Sequence, residues 1–179
     1  EAIDRLKRDG KIRYAGVSNY NVEQLETVTQ VADIVSLQPP FSMVRRNSQK
    51  DVIPWCREHG LGVIVYSPLQ MGLLTGKVTE DRVFPPTDVR SSNPLFSPEN
   101  RRRINAFLDR LRPIADRHNA SVANVVIAWT VRQPGITAAL VGARNAKQAS
   151  ENARGGVIEL DMEEMRAIDK DLEELQLER

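Results

Sequence analysis

The chain has 179 residues, of which 41% are hydrophobic and 27% are charged, a composition typical of globular proteins and unlike that of disordered chains. A formal net charge of +1 predicts no strong attraction to nucleic acid or to anionic membranes, and no apolar run is long enough to cross a bilayer. The only cysteine, Cys56, excludes an intrachain disulfide and predicts a reducing, cytoplasmic setting.

The order of predicted elements begins with EAIDRLKRDG, which is typical of the end of a helix that stops at Gly10. Short apolar runs predict four strands, at residues 11–17, 34–37, 61–66 and 136–141. The third strand, LGVIVY, is apolar almost throughout and is expected to be buried on both faces. Residues 69–97 are rich in Gly, Pro, Ser and Asn, and they predict a long loop of the kind that serves as a functional lid.

Apolar stripes at helical spacing predict the helices between and after these strands. Two predicted helices cover residues 21–30 and 49–59, and a third begins at Ser97-Pro98 with an interruption at Pro113. A fourth begins at Ser121, a fifth runs from Asn145 to near Gly155, and the last begins at Asp161. A strand followed by a helix, four times over, predicts parallel strands with right-handed crossovers. Two α/β architectures remain open on this pattern: a doubly wound open sheet, or four units of an eight-stranded barrel, which would leave two unpaired sheet edges.

Polar residues follow the predicted strands. Ser18 and Asn19 come after the first strand and Gln38 ends the second, although Ser-Asn is also good turn chemistry and a Gln before two prolines can satisfy its own loop. Tyr66 ends the third strand, where an interior tyrosine is the alternative. Arg144 leads into a helix whose N-terminus can bind an anion, and a guanidinium can hold a phosphate bidentately.

Three segments resemble the aldo-keto reductase family in their order and spacing: GKIRYAGVSNY at 10–20, VIVYSPLQMGLLTGK at 63–77 and VGARNAKQASEN at 141–152. The resemblance runs from Gly10 to about Leu172. It implies that residues 1–179 are the last four βα units of a (β/α)8 barrel plus a C-terminal helix, with residues 69–97 as a cofactor and substrate loop. The sequence also lacks the G-x-G-x-x-G fingerprint that a doubly wound dinucleotide fold would carry.

The resemblance implies that this half of the barrel binds NADP(H). It assigns cofactor contacts to Ser18, Asn19, Gln38, Tyr66, Ser67, Pro68, Leu69, Gly72, Lys77, Gly142, Arg144, Gln148, Glu151 and Asn152. The first three would bind the carboxamide, for which Asn19 offers both a donor and an acceptor, and Tyr66 would stack on the nicotinamide ring. Residues 67–72 would suit the pyrophosphate, and Arg144 would bind the 2′-phosphate that distinguishes NADP from NAD. Gln148, Glu151 and Asn152 would hold the ribose and the adenine. The alternative for Lys77 is a lysine side chain exposed to solvent. For Gln148, Glu151 and Asn152 the alternative is an ordinary polar helix face.

The family's catalytic Asp, Tyr, Lys and His belong to the other half of the barrel, and nothing in this sequence replaces them. We therefore expect no catalytic residue and no metal site in this chain. The whole protein is expected to pass hydride between NADPH and an aldehyde or ketone, with this chain inactive unless an N-terminal half-barrel joins it. Two alternatives stay open: a non-catalytic dinucleotide-binding regulatory subunit, and a half-barrel that pairs with itself in a homo-oligomer.

Overall fold

The computed structural model describes residues 1–178, which contain four strands and eight α-helices. The strands are β1 (Gly16–Ser18), β2 (Ser36–Gln38), β3 (Gly62–Tyr66) and β4 (Ala138–Leu140). The helices are α1 (Ala2–Arg8), α2 (Val22–Val31), α3 (Val52–Glu58), α4 (Pro98–Arg110), α5 (Arg112–Arg117), α6 (Val122–Val131), α7 (Ala146–Val157) and α8 (Met162–Glu174). The chain forms two compact units, one of residues 1–68 and 130–141, the other of residues 69–129 and the chain from Gly142 onward.

The sheet belongs to the first unit and decides between the two architectures. Its strands run parallel in the order β1-β2-β3-β4. Val17 pairs with Leu37, and Leu37 with Val63, along this ladder. A sequential order means that every crossover steps in the same direction, as in a (β/α)8 barrel, whereas a doubly wound sheet reverses its order at a switch point. The predicted barrel arrangement is therefore confirmed.

The strands are shorter than predicted at both edges. The run at residues 11–17 forms a strand only from Gly16, and the run at 136–141 only over Ala138–Leu140. A strand is defined by its ladder partners, and β1 has only the three residues of β2 beside it. The third strand is also less enclosed than predicted, because Val63 and Val65 are buried while Gly62, Ile64 and Tyr66 are half-buried.

The second unit is built around α6, whose residues Val125, Ala128 and Trp129 are fully buried. The helix predicted to begin at Ser121 is therefore present and deeply packed. The indole N–H of Trp129 donates to Oδ1 of Asp169 on α8 over 2.8 Å. The predicted interruption near Pro113 is also confirmed, since α4 ends at Arg110 and α5 begins at Arg112.

The long loop at residues 69–97 is more ordered than its composition predicts. It contains two 3₁₀ turns, Gln70–Thr75 and Pro94–Phe96. Each turn places apolar side chains in the core, because Leu73, Leu74 and Phe96 are at most 3% exposed. Buried anchors of this kind hold a loop in one conformation, which glycine and proline content alone does not reveal.

Across residues 1–178, no helix has both the length and the apolar character needed to cross a membrane. Nor does this part of the chain bring three His, Cys, Asp or Glu side chains together as ligands for a metal ion.

Candidate functional site

The carboxyl ends of β1 and β2 bring three predicted site residues together in the first unit. The hydroxyl of Ser18 donates to the backbone carbonyl of Gln38 over 3.0 Å, and the amide of Asn19 donates to the same oxygen over 3.1 Å. Asn19 has a φ of +60°, a left-handed conformation that Asn tolerates better than most residues. The backbone therefore turns at Asn19 directly after the strand and keeps its side chain at the carboxyl end of the sheet.

Tyr66, at the end of β3, joins this strand-end cluster through its side chain. Its hydroxyl donates to Oδ1 of Asn19 over 3.1 Å. Oδ1 of Asn19 therefore accepts one hydrogen bond within the chain. An amide oxygen has two lone pairs, so the expectation that Asn19 offers a ligand both a donor and an acceptor stays a prediction. The hydroxyl hydrogen of Ser18 is engaged as well, on the carbonyl of Gln38. Nδ2 of Asn19 makes no hydrogen bond within residues 1–178 and can donate, and Oγ of Ser18 can accept, which is the pairing that a primary carboxamide requires.

Strained backbone follows β3 and continues into the loop. Ser67, Gln70 and Met71 have φ values of +59°, +45° and +53°, and Gly72 has +90°. A non-glycine residue in the left-handed region costs about 1–2 kcal/mol, and such residues gather at ligand sites. Successive N–H groups in turns of this kind form concave anion sites. The left-handed conformations of Gln70 and Met71 were not predicted, because neither residue type signals one.

Glycine is required at position 72 because of its backbone conformation, and not because a larger side chain would clash with a neighbour. A Cβ added to it would meet nothing within 4 Å. Pro68 is buried, Leu69 is half-buried and Lys77 is exposed. Lys77 makes no side-chain hydrogen bond or ion pair within residues 1–178. It therefore remains open to an anionic ligand.

The start of α7, in the second unit, forms the other group of predicted site residues. Asn145 caps the helix, with Oδ1 accepting from the amide of Gln148 over 2.9 Å. Oε1 of Gln148 accepts in turn from the amide of Arg144 over 2.8 Å, and Nδ2 of Asn152 donates to the carbonyl of Gly142 over 3.2 Å. Gln148 and Asn152 thus hold the 142–145 segment as well as lining the first turns of the helix.

Two charged residues of this group have unengaged side chains. Arg144 and Glu151 are exposed, and neither side chain makes an ion pair within the described residues. The backbone carbonyl of Glu151 is held by Nδ2 of Asn124 over 2.5 Å. The guanidinium of Arg144 beside a helix N-terminus is the arrangement expected of a phosphate site.

A buried carboxylate, Glu164 of α8, is the centre of a charge cluster inside the second unit. Its side chain is 6% exposed and accepts from Nε2 of His118 over 2.9 Å and from Nη2 of Arg117 over 2.9 Å. Burial acts to raise its pKa, but hydrogen bonds from His118, the backbone of Asp161 and Arg117 together lower the pKa below its usual value. His118 thus serves as a partner of Glu164, and the two residues tie α5 to α8.

Parallel strands in sequential order with polar residues at their carboxyl ends define a segment of a (β/α)8-barrel protein. Residues 1–173 match the family described as the aldo/keto reductase family. The chain belongs to this family.

Named relatives agree with this assignment. The chain is 34% identical over 149 residues to the aldo-keto reductase YhdN of Bacillus subtilis, covering 83% of this chain and 45% of that protein. It is 31% identical over 150 residues to the NADH-specific methylglyoxal reductase of Escherichia coli, covering 84% and 45%. The solved glycerol dehydrogenase AKR11B4 of Gluconobacter oxydans is 35% identical, with a TM-score of 0.90 over 97% of this chain and 53% of that one. The chain spans about half the length of the relatives it matches.

Proposed function

We propose that this chain forms the dinucleotide-binding part of an NADP-dependent aldo-keto reductase that interconverts an aldehyde or ketone and the corresponding alcohol. The unengaged guanidinium of Arg144 at the start of α7 carries the proposal, because it can bind a 2′-phosphate that NAD lacks. When bound, the nicotinamide supplies or accepts the hydride. The residues of this chain bind and orient it.

The strand-end cluster fits the nicotinamide end of such a cofactor. Nδ2 of Asn19 is free to donate to a carboxamide oxygen, and Oγ of Ser18 is free to accept from a carboxamide nitrogen. The side chain of Gln38 makes no hydrogen bond within residues 1–178 and offers a further acceptor. The ring of Tyr66 supplies an aromatic surface on which the nicotinamide can stack.

The loop after β3 and the start of α7 fit the phosphates and the adenosine. The turning backbone at residues 67–72 presents N–H groups to a pyrophosphate, with the Lys77 ammonium as an added charge. Gln148, Glu151 and Asn152 share one face of α7 and are proposed to contact the ribose and adenine. This donor set suits a dinucleotide that carries a pyrophosphate and a 2′-phosphate.

We further propose that the proton donor is supplied from outside these 179 residues, so that the chain by itself binds the cofactor without turnover. General acid catalysis on a carbonyl needs a group whose pKa lies near the working pH. The strand-end cluster contains only Tyr66 as a titratable group, and its hydroxyl is committed to Asn19. A whole protein that binds NADPH but reduces no aldehyde or ketone would support the regulatory-subunit alternative.

The test is titration of the chain with NADPH and with NADH, followed by tryptophan fluorescence. We expect NADPH to bind more tightly, and Arg144→Ala to weaken NADPH binding by about tenfold, as the loss of one charged phosphate contact predicts. NADH binding should hardly change. Lys147→Ala is the matched control, since Lys147 is an exposed cation on the same helix. The proposed role of Arg144 would be contradicted if Arg144→Ala weakened NADPH and NADH binding equally. It would also be contradicted if Lys147→Ala weakened NADPH binding as much as Arg144→Ala.

A further inference from the structure

One side chain of α4, Asn100, is bonded to two distant parts of the second unit. It is 0% exposed. Its Nδ2 donates to the carbonyl of Pro94 over 2.8 Å and to the carbonyl of Glu178 over 2.9 Å, while its Oδ1 accepts from the amide of Glu178 over 2.9 Å. Both amide hydrogens are therefore used, and the pair of bonds to Glu178 copies the pairing of two backbone strands.

Arg103, less than one turn further along α4, holds the same C-terminal segment. Its Nη1 donates to the carbonyl of Gln176 over 3.0 Å, and Nη2 lies 3.5 Å from a carboxylate oxygen of Glu178. Its Nε donates to Oε1 of Glu99 over 2.8 Å. The segment 175–178, here termed the tail, is thus bound to α4 mainly through its backbone.

The same helix also holds the early part of the long loop. Nη1 of Arg101 donates to the carbonyls of Thr79 and Arg82 over 2.9 and 2.6 Å. Nδ2 of Asn105 donates to the carbonyl of Val78 over 3.0 Å. Side chains of α4 therefore satisfy carbonyls at both ends of the loop, and only Asn100 shares its bonds between the loop and the tail.

We infer that Asn100 positions the Pro94–Phe96 turn of the loop and that the backbone of Glu178 fixes Asn100 in place, so that tail and loop order together. Without the backbone of Glu178, Asn100 loses two of its three side-chain hydrogen bonds. A buried amide with unmet bonds is costly, so it turns toward water and releases the carbonyl of Pro94. The loop then loosens although nothing in it has changed.

A contrast at one tail position tests this. Glu178→Pro removes the N–H that donates to Asn100, whereas Glu178→Ala keeps both backbone groups and removes only the carboxylate near Arg103. The reporters are the amides of Leu95, Phe96 and Ser97, which are bonded within the turn. The measurement is their hydrogen exchange by NMR in the chain without cofactor, with the amides of α6 as the reference.

Glu178→Pro is expected to speed exchange of the three reporters roughly tenfold relative to Glu178→Ala, without moving the reference amides. Asn100→Leu, which keeps the volume and removes every bond, should give the same result without any change in the tail sequence. Reporter exchange that is equal in the proline and alanine variants would overturn the inference. So would an increase that the α6 amides share, because it would mark general destabilisation.

The consequence for cofactor affinity rests on the proposed function. If the loop binds the dinucleotide, Glu178→Pro should weaken NADPH binding severalfold and Glu178→Ala should not. If Glu178→Pro speeds amide exchange in the loop without changing NADPH affinity, the coupling of tail and loop is upheld. That result would also show that the Pro94–Phe96 turn does not contribute to cofactor binding. Absence of NADPH binding in the unmodified chain would count against the proposed function, and the exchange experiment would still decide the coupling.

Discussion

The hydroxyl of Tyr66, at the end of β3, donates to Oδ1 of Asn19, just beyond β1, over 3.1 Å. The two residues are 47 positions apart in the chain and meet because parallel strands end at the same edge of the sheet. Under the proposed function, this bond turns the Asn19 amide so that its nitrogen faces the cofactor. Tyr66 then has two roles, as a stacking surface and as an orienting hydrogen-bond donor.

Tyr66→Phe separates these roles, because it keeps the ring and removes the hydroxyl. We expect NADPH affinity to fall about fivefold, the cost of about 1 kcal/mol for one hydrogen bond. Tyr14→Phe is the control, since Tyr14 is 71% exposed. The measurement is the dissociation constant from fluorescence titration. Unchanged affinity in Tyr66→Phe would mean that the hydroxyl does not orient Asn19.

The N-cap of α7 should contribute measurably to stability. Asn145→Ala removes the acceptor for the amide of Gln148 and is expected to lower the free energy of unfolding by about 1 kcal/mol. Urea denaturation monitored by circular dichroism measures the effect. Ser150→Ala, at an exposed position within the same helix, should leave stability unchanged or raise it slightly. Equal stability in the two variants would show that the cap is dispensable.

Two adjacent glycines of α7 should respond in opposite ways to alanine. A Cβ on Gly155 would lie 2.7 Å from Cβ of Ile127 and 3.0 Å from the carbonyl of Asn124, whereas a Cβ on Gly156 would meet nothing within 4 Å. Gly155→Ala should therefore destabilise the protein by about 1–3 kcal/mol through overpacking. Gly156→Ala should stabilise it by about 0.5–1 kcal/mol, because helical glycine carries an entropic cost. Thermal unfolding of both variants checks the sign of each change, and a shift in the same direction for both would refute the close approach of α7 to α6.

Stability should fall in acid partly through Glu164. Its pKa is lower in the folded chain than in the unfolded one, so the unfolded state binds a proton first as the pH falls. The stabilisation is complete above the ordinary glutamate pKa of about 4.3 and is lost as the pH drops through the lower folded-state pKa. Glu164→Gln should lower the free energy of unfolding by about 2 kcal/mol at pH 7 and by much less in acid. Unfolding midpoints measured from pH 7 to pH 3 test this.

Glu163→Gln is the matched control for that series. Glu163 is an exposed neighbour in the first turn of the same helix, and it has no partner among the described residues. Its variant should follow the unmodified chain at every pH. A pH dependence in Glu164→Gln as steep as that of the unmodified chain would assign the acid lability to other carboxylates.

The sequence by itself determined the order of elements and most helix ends, because these depend on local chemistry. Asn21, Ser97, Asn145 and Asp161 each accept a hydrogen bond at the helix start that they precede. Strand positions also followed from apolar runs, although their lengths did not, since a ladder extends only as far as its neighbour. The candidate site residues followed from three motifs that resemble one family.

Tertiary structure alone decided which polar groups are engaged and which are free. Nothing local to Asn19 indicates that Tyr66 donates to its Oδ1, and nothing local to Asn100 indicates that it joins Pro94 to Glu178. The left-handed backbone at Gln70 and Met71 is likewise not indicated by the sequence, because neither residue favours it intrinsically. Such contacts join residues far apart in the chain, so they arise only when strands and helices have been brought together.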